Sequence, residues 1–136
     1  MKIMFKTRAT ATGGRSGHTA LDDGSLAFDT AMPGSGKPGV NPEQLFALGY
    51  AACFDNAVML LARQQKLALQ GSQTSVEVGL GQRDAGGYGL DIDLHVATQG
   101  LPQAEAEALV NAAHAICPYS NAVRGNVDVR LQVTAS

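Results

Sequence analysis

The sequence predicts an α+β fold in a single domain, residues 1–136, and three observations lead to this prediction. The chain has 136 residues and a mass of 14.1 kDa, which is the size of one domain. Short segments with a period of two predict strands, and two longer segments predict helices. Their order along the chain is βββ-α-ββ-α-β, without the strict alternation of a doubly wound fold.

An alternating segment opens the chain and predicts a strand over residues 2–12. Ile3, Phe5 and the odd-numbered residues after them share one side, which we expect to be buried. Glycines at positions 13, 14 and 17 then form a turn around Arg15.

Two short strands and a loop follow this turn. Residues 18–21 predict a returning strand, and residues 25–30 a third strand after the turn signal at 22–24. Residues 33–39 are rich in Gly and Pro and predict a loop. Only about thirty residues precede this loop, so we place no domain boundary there.

A long apolar helix is predicted over residues 42–66. Asn41 is a favourable N-cap, a proline suits the first helical position, and Glu43 suits the helix dipole. Apolar residues occupy most of its circumference, so we expect the helix to be covered on several sides. Asp55 and Asn56 interrupt the apolar run, which argues against a membrane span. They indicate either polar partners at a site or an interface, or a simple capping or solvent-facing role.

The second half of the chain predicts a hairpin, a second helix and a last strand. Segments 74–81 and 88–98 flank a glycine turn. Pro102 opens a helix that Pro118 ends, and residues 127–133 alternate as a strand. The second helix has a predicted buried face at helical spacing: Ala106, Leu109, Val110, Ala113 and Cys117.

Charge and composition exclude several classes of partner. Ten Lys and Arg against twelve Asp and Glu leave a net charge of −2, which provides no cationic surface for nucleic acid or an anionic membrane. Lys6 and Arg8 interrupt the amino end, unlike a secretory leader. We expect a cytoplasmic protein with no nucleic-acid partner and no membrane partner.

The two cysteines, Cys53 and Cys117, carry most of the functional question. Both are predicted to face the core, on helices that pack together. One interpretation is two inert core thiols, because free cysteine packs as a small hydrophobe. A reactive thiolate needs a nearby cation, for which Arg15 in its glycine turn is a candidate, although a solvated surface arginine is the ordinary interpretation. Gly49 and Ala52 are small enough to permit close approach of a neighbouring backbone.

Other chemistries are poorly supported. His18, His95 and His114 have no metal-ligand spacing with either cysteine, which argues against zinc. There is no C-x-x-C pair, which disfavours a thioredoxin-type site. A Cys–His hydrolase using Cys53 is conceivable, but no spacing selects its histidine.

Four motifs together resemble one family. They are ATATGGR at 9–15, NPEQLF at 41–46, GYAACF at 49–54, and CPYSNA at 117–122 followed by RGN at 124–126. In these motifs, and in order along nearly the whole chain, the sequence closely resembles the organic hydroperoxide resistance proteins, a branch of the OsmC-like superfamily.

The resemblance implies a thiol peroxidase that needs no metal, haem or flavin cofactor. Cys53 matches the family's peroxidatic cysteine and Cys117 its resolving cysteine, while Arg15 and Glu43 match its active-site arginine and the paired carboxylate. The thiolate would reduce an organic hydroperoxide to an alcohol and become a sulfenic acid, with which Cys117 condenses to a disulfide. A dihydrolipoyl group or another dithiol would then reduce the disulfide.

The resemblance also implies an intertwined homodimer with its sites at the interface. Glu43 and Cys53 are ten residues apart, or roughly 15 Å along the axis of a continuous helix. If the helix is continuous, we expect Glu43 and Arg15 to serve the Cys53 of a second chain.

Two alternatives remain open: an OsmC-type peroxidase of the sister branch, and a non-catalytic domain that binds an apolar ligand and has inert thiols. Residues 119–121 favour the organic hydroperoxide branch. Phe46, Tyr50 and Phe54 near Cys53 suit an alkyl or fatty-acid hydroperoxide, although core packing is the default interpretation of each aromatic residue.

Overall fold

The structure, a computed structural model, describes all residues 1–136 and divides them into two compact units, residues 1–45 and residues 46–136. Each unit contains one three-stranded sheet, and the chain also forms three α-helices. The predicted α+β class is therefore confirmed. The assignment of residues 1–136 to a single domain stays a prediction.

The sheet of the first unit is a short antiparallel meander. Its strands are β1 (Ala9–Thr12), β2 (His18–Leu21) and β3 (Ala27–Asp29), in the order β1-β2-β3. A single 3-10 turn, Gly14–Ser16, joins β1 to β2 at the predicted glycine turn.

The predicted first strand is too long at its amino end. The strand begins at Ala9 rather than residue 2, and Ile3 and Phe5, which we expected to be buried, are exposed. An alternating pattern forms a strand only where a neighbouring strand supplies hydrogen bonds and apolar cover. Residues 1–7 have no such neighbour within this chain.

Helix α1 spans Pro42–Gln64 without interruption. A reciprocal pair of hydrogen bonds fixes its start: the Gln44 N–H donates to Asn41 Oδ1 at 2.8 Å, and the Asn41 N–H donates to Gln44 Oε1 at 2.8 Å. This is a capping box, with Asn and Gln in its two positions. It confirms the predicted helix start.

The apolar surface of α1 is only partly covered. Helix α1 is long and apolar enough to cross a membrane, because a stretch of 18 of its residues has a mean hydropathy of 1.6. The central helix of a folded core is often equally long and apolar, so this alone does not indicate a membrane span. Leu48 is 64% exposed, and Met59 and Leu60 are also exposed, so the prediction of cover on several sides is wrong for the single chain. One face of α1 is buried, and it contains Tyr50, Phe54, Ala57, Val58 and Ala62.

The second unit is a mixed sheet with two further helices. Strands β4 (Gly71–Gln82) and β5 (Tyr88–Gln99) form an antiparallel hairpin. Helices α2 (Gln103–Ile116) and α3 (Pro118–Val123) follow, and β6 (Val129–Ala135) then pairs with β5.

Two details of this unit correct the sequence prediction. We expected antiparallel sheets, but β6 runs parallel to β5, because a helical crossover returns the chain in the same direction. Pro118 does end α2, as predicted. It also begins α3, because the first helical position needs no hydrogen bond from its nitrogen.

The core of the second unit is formed by the sheet face that α1 and α2 cover. The predicted buried face of α2 is confirmed in full. Asp55 also has the polar partners expected of it: Ser72 and Thr74 on β4 donate hydroxyl hydrogen bonds to its Oδ1 at 2.8 and 3.1 Å. Asn56 is exposed. Asp55 therefore fastens α1 to β4.

Candidate active site

The structure brings the two cysteines into contact. Cys53 lies in the middle of α1, and Cys117 lies at the break between α2 and α3, with an extended backbone (φ −62°, ψ 125°). The Cys117 thiol donates to Cys53 Sγ across 3.8 Å. Cys53 is half-buried and Cys117 has no exposed surface. If either sulfur is oxidised, the other therefore already lies close enough to react with it.

Burial raises the pKa of the Cys53 thiol above its ordinary value. The Tyr119 backbone N–H donates to this sulfur and lowers the pKa, whereas Cys117 raises it further. Among residues 46–136, no cation acts on Cys53. A reactive thiolate at Cys53 would therefore need a positive charge from outside this unit.

Arg15 and Glu43, the other two predicted site residues, are also paired. Arg15 Nη1 donates to Glu43 Oε2 at 2.7 Å, and Nη2 donates to Oε1 at 2.6 Å. Both hydrogen bonds are charge-assisted, and the planar fork of the guanidinium fits the carboxylate. The pair lowers the pKa of Glu43. The side chains are 37% and 14% exposed, so the arginine remains partly accessible.

Thr30 holds the loop that presents Arg15. Its hydroxyl donates to the Gly14 carbonyl at 2.7 Å and accepts from the Gly17 N–H at 2.7 Å. Gly17 itself must be glycine, because a Cβ there would lie 1.9 Å from the Thr12 carbonyl oxygen. The sequence contained the glycine signal for this loop, but nothing in it connected Thr30 to Arg15.

Sequence reasoning also missed a chain of polar side chains in the second unit. Tyr50 Oη lies 2.7 Å from Ser120 Oγ, which lies 2.8 Å from His114 Nδ1. Arg124 Nη2 donates to the His114 carbonyl at 2.6 Å. The sequence gives no sign that Ser120 is buried, because its position follows from helix α3, which begins at Pro118 and was not predicted.

Aromatic rings pack beside the cysteines. The Tyr119 ring lies 5.8 Å from the Phe46 ring and 5.6 Å from the Tyr50 ring, centroid to centroid. A Cβ on Gly49 would lie 2.5 Å from the Tyr119 hydroxyl oxygen. Gly49 therefore permits the close approach of a side chain, where we expected a neighbouring backbone.

No group of three or more His, Cys, Asp or Glu residues lies close enough together to hold a metal ion. The four predicted site residues form two pairs: Arg15 contacts Glu43 in the first unit, and Cys53 contacts Cys117 in the second. Their catalytic roles stay predictions.

Comparison with known proteins identifies the family. A family model described as OsmC-like protein matches residues 34–132. The chain belongs to the OsmC-like family. An organic hydroperoxide resistance protein of Xanthomonas axonopodis pv. citri is 47% identical over 136 residues, covering 96% of this chain and 94% of the relative.

Solved structures of this OsmC-like branch have the same fold. An organic hydroperoxide resistance protein from Legionella pneumophila has a TM-score of 0.93 at 49% identity, covering 98% of this chain and 99% of that one. The OhrB protein of Bacillus subtilis has a TM-score of 0.91 at 46% identity, covering 97% of this chain and all of that one. The resemblance to the organic hydroperoxide resistance branch and the OsmC-like fold are therefore confirmed.

Proposed function

We propose that this protein is a cysteine-based peroxidase that reduces organic hydroperoxides to alcohols in the cytoplasm. The observation that carries the proposal is the 3.8 Å contact between the half-buried Cys53 and the buried Cys117. Core packing alone does not require two thiols to meet. The relatives named organic hydroperoxide resistance proteins support the same substrate class.

Cys53 is the nucleophile, because it is the more exposed sulfur of the pair. Its thiolate attacks the O–O bond, releases the alcohol and becomes a sulfenic acid. The Cys117 thiol then attacks that sulfur, a disulfide forms, and the sulfenic oxygen leaves as water. An external dithiol, such as a dihydrolipoyl group, takes up the disulfide and restores both thiols.

Arg15 supplies the positive charge that Cys53 lacks within its own unit. Its guanidinium, oriented by Glu43, stabilises the Cys53 thiolate. Helix α1 is continuous from Pro42 to Gln64, so Glu43 and Cys53 are separated by roughly 15 Å along one axis. We therefore assign the Arg15–Glu43 pair to the Cys53 of a second chain in a symmetric homodimer.

The exposed apolar surface of α1 supports this assembly. Leu48, Met59 and Leu60 are exposed in the single chain, and a second copy would cover them. The Phe46, Tyr50 and Tyr119 rings beside the cysteines suit the alkyl part of a hydroperoxide better than they suit hydrogen peroxide.

The direct test counts free thiols before and after one equivalent of cumene hydroperoxide. The parent protein should lose both thiols within seconds, whereas two unreacted thiols would contradict the proposal. Cys53→Ser should leave Cys117 unoxidised. Cys117→Ser should consume about one equivalent and stall as the sulfenic acid, which intact-mass spectrometry detects.

The shared site has its own test. Cys53→Ser chains are co-refolded with Arg15→Ala/Glu43→Ala chains, each of which is inactive alone. If the pair serves the partner subunit, one site of the mixed dimer contains all four native residues and activity returns. Mixed dimers that form but remain inactive would place the whole site within one chain.

A further inference from the structure

Two polar side-chain contacts join α1 to the segment that contains the break between α2 and α3. One is the 3.8 Å contact between the sulfurs of Cys53 and Cys117. The other is a 2.7 Å hydrogen bond between Tyr50 Oη and Ser120 Oγ, and both of these residues are fully buried. The steps of the proposed function use only the first contact.

The two contacts lie one helical turn apart. Tyr50 precedes Cys53 by three residues on α1, and Ser120 follows Cys117 by three residues, in the first turn of α3. Residues three apart on a helix are direct neighbours on its surface. The hydroxyl bond therefore joins the same two elements as the sulfur contact, and a movement of α3 away from α1 would lengthen both.

Ser120 also joins α3 to α2. His114 Nδ1 lies 2.8 Å from Ser120 Oγ, and Arg124 Nη2 donates to the His114 carbonyl at 2.6 Å. A hydroxyl can donate one hydrogen bond and accept two, so this one oxygen can bind both Tyr50 and His114. Cys117 is the extended residue between the two helices. The Ser120 hydroxyl therefore holds the segment around Cys117 to α1 and to α2.

A hydrogen bond suits this task better than apolar packing alone. Apolar surfaces can slide past each other by small amounts, whereas a hydrogen bond weakens when its length or angle changes. Formation of a disulfide within one chain depends on the effective concentration of one sulfur at the other, and that concentration falls when the two elements separate. A directional bond one turn away would keep the effective concentration high.

We propose that Ser120 is a positioning residue for a disulfide between Cys53 and Cys117, a role that rests on the disulfide step of the proposed function. Its hydroxyl holds α3 to α1 through Tyr50 and to α2 through His114, so the two sulfurs stay close enough to react. In that step Cys117 Sγ attacks the sulfenic sulfur of Cys53, an S–S bond forms and water leaves. Ser120 exchanges no proton or electron in the step.

The test measures the reduction potential of the disulfide. The protein is equilibrated at pH 7 with mixtures of reduced and oxidised dithiothreitol, and its free thiols are then alkylated and counted by intact-mass spectrometry. Ser120→Ala removes both hydroxyl bonds, so the equilibrium constant for disulfide formation should fall about tenfold, which raises the potential by about 30 mV. His114→Ala removes one of the bonds and should lower the same constant roughly threefold.

Ser72→Ala is the matched control. Ser72 on β4 also donates a hydroxyl hydrogen bond of 2.8 Å to a residue of α1, in this case Asp55. The variant loses a hydrogen bond of the same kind, but its disulfide should keep the parental potential. A parental potential in Ser120→Ala overturns the proposal, and so does an equal shift in Ser72→Ala. If Ser120→Ala does not fold, His114→Ala decides by the same two outcomes.

Urea denaturation provides a second readout through a thermodynamic cycle. A disulfide formed with diamide stabilises the fold to the extent that the sulfurs meet more often in the folded chain than in the unfolded chain. A tenfold loss of effective concentration in Ser120→Ala should reduce this stabilisation by about 1.4 kcal/mol. Ser72→Ala should keep the full parental gain. A full parental gain in Ser120→Ala would contradict the positioning role.

The test also separates this proposal from the proposed function. Dithiothreitol sets the thiol–disulfide equilibrium whether or not the protein is a peroxidase, so the role of Ser120 is measured without hydroperoxide. Failure of the reduced parent protein to consume cumene hydroperoxide would count against the peroxidase alone. A parental potential in Ser120→Ala would count against the positioning role alone.

Discussion

Oxidation of Cys53 and Cys117 should stabilise the fold by about 4 kcal/mol. The two residues are 64 positions apart, so a disulfide closes a loop of about 65 residues in the unfolded chain. The loss of chain entropy for such a loop corresponds to about 4 kcal/mol at 25 °C. The two sulfurs are already 3.8 Å apart, so we expect side-chain movement to close the bond and most of this gain to be realised.

Urea denaturation measures this gain. The reduced and diamide-oxidised forms are unfolded at one protein concentration and followed by far-UV circular dichroism. With a urea dependence of roughly 2 kcal/mol per molar, the midpoint should rise by about 2 M on oxidation. Cys117→Ser treated in the same way is the control and should show no shift.

The opposite result would be informative. If the oxidised form unfolds at the same urea concentration as the reduced form, or at a lower one, closing the bond must disturb native packing by as much as the loop stabilises. That outcome would refute the inference that α1 and the α2–α3 break hold the sulfurs ready to join.

Three other predictions concern the Arg15 loop. Arg15→Lys keeps the positive charge but loses the planar fork of the guanidinium, so the Cys53 pKa should rise and alkylation of Cys53 at pH 7 should slow at least tenfold. The alkylation rate measured against pH checks this, and a profile like that of the parent protein would contradict stabilisation of the Cys53 thiolate by Arg15. The Arg15 pair lowers the pKa of Glu43 in the folded state, so the ion pair should stabilise the fold above about pH 4.5 and lose this effect as the pH falls through the lowered Glu43 pKa. Glu43→Gln should flatten this part of the curve of unfolding free energy against pH, and an unaltered curve would argue against the pair. Thr30→Val removes the hydroxyl bonded to Gly14 and should destabilise the fold by about 1–2 kcal/mol and slow peroxide consumption, whereas diamide should still join the cysteines at the parental rate.

Local signals predicted the elements well. The start of α1 follows from Asn41 and Gln44, whose side chains bond the backbone of their own turn, so no distant residue is needed to specify it. The buried face of α2 follows from helical spacing alone. Both features are encoded within a few residues of where they occur.

Features that depend on distant partners were not predicted. Residues 2–8 alternate like a strand, but the pattern does not say whether another strand lies beside them. The parallel pairing of β6 depends on how the crossover returns, and an alternating segment reads the same in either direction.

The site was predicted only in part for the same reason. His114 and Ser120 have no recognisable spacing, because the break after Ile116 brings them together, and the sequence prediction had placed only a helix stop there. The pairing of Arg15 with Glu43 came from the family resemblance, since 28 positions separate the two residues.

The break between α2 and α3 confines to one residue the movement that the sulfurs need in order to form or break a bond. Cys117 lies at this break, and its N–H and carbonyl are bonded to Ala113 and Asn121 on either side. Rotation about the Cys117 side-chain bonds, with small adjustments of φ and ψ at this one extended residue, can displace its sulfur by an ångström or two. The hydrogen bonds inside both helices need not open for this. A sulfur in the middle of α2 would instead have to bend that helix each time such a bond formed. The joint therefore allows a bond between the two sulfurs to form and break without opening the hydrogen bonds of α2 or α3.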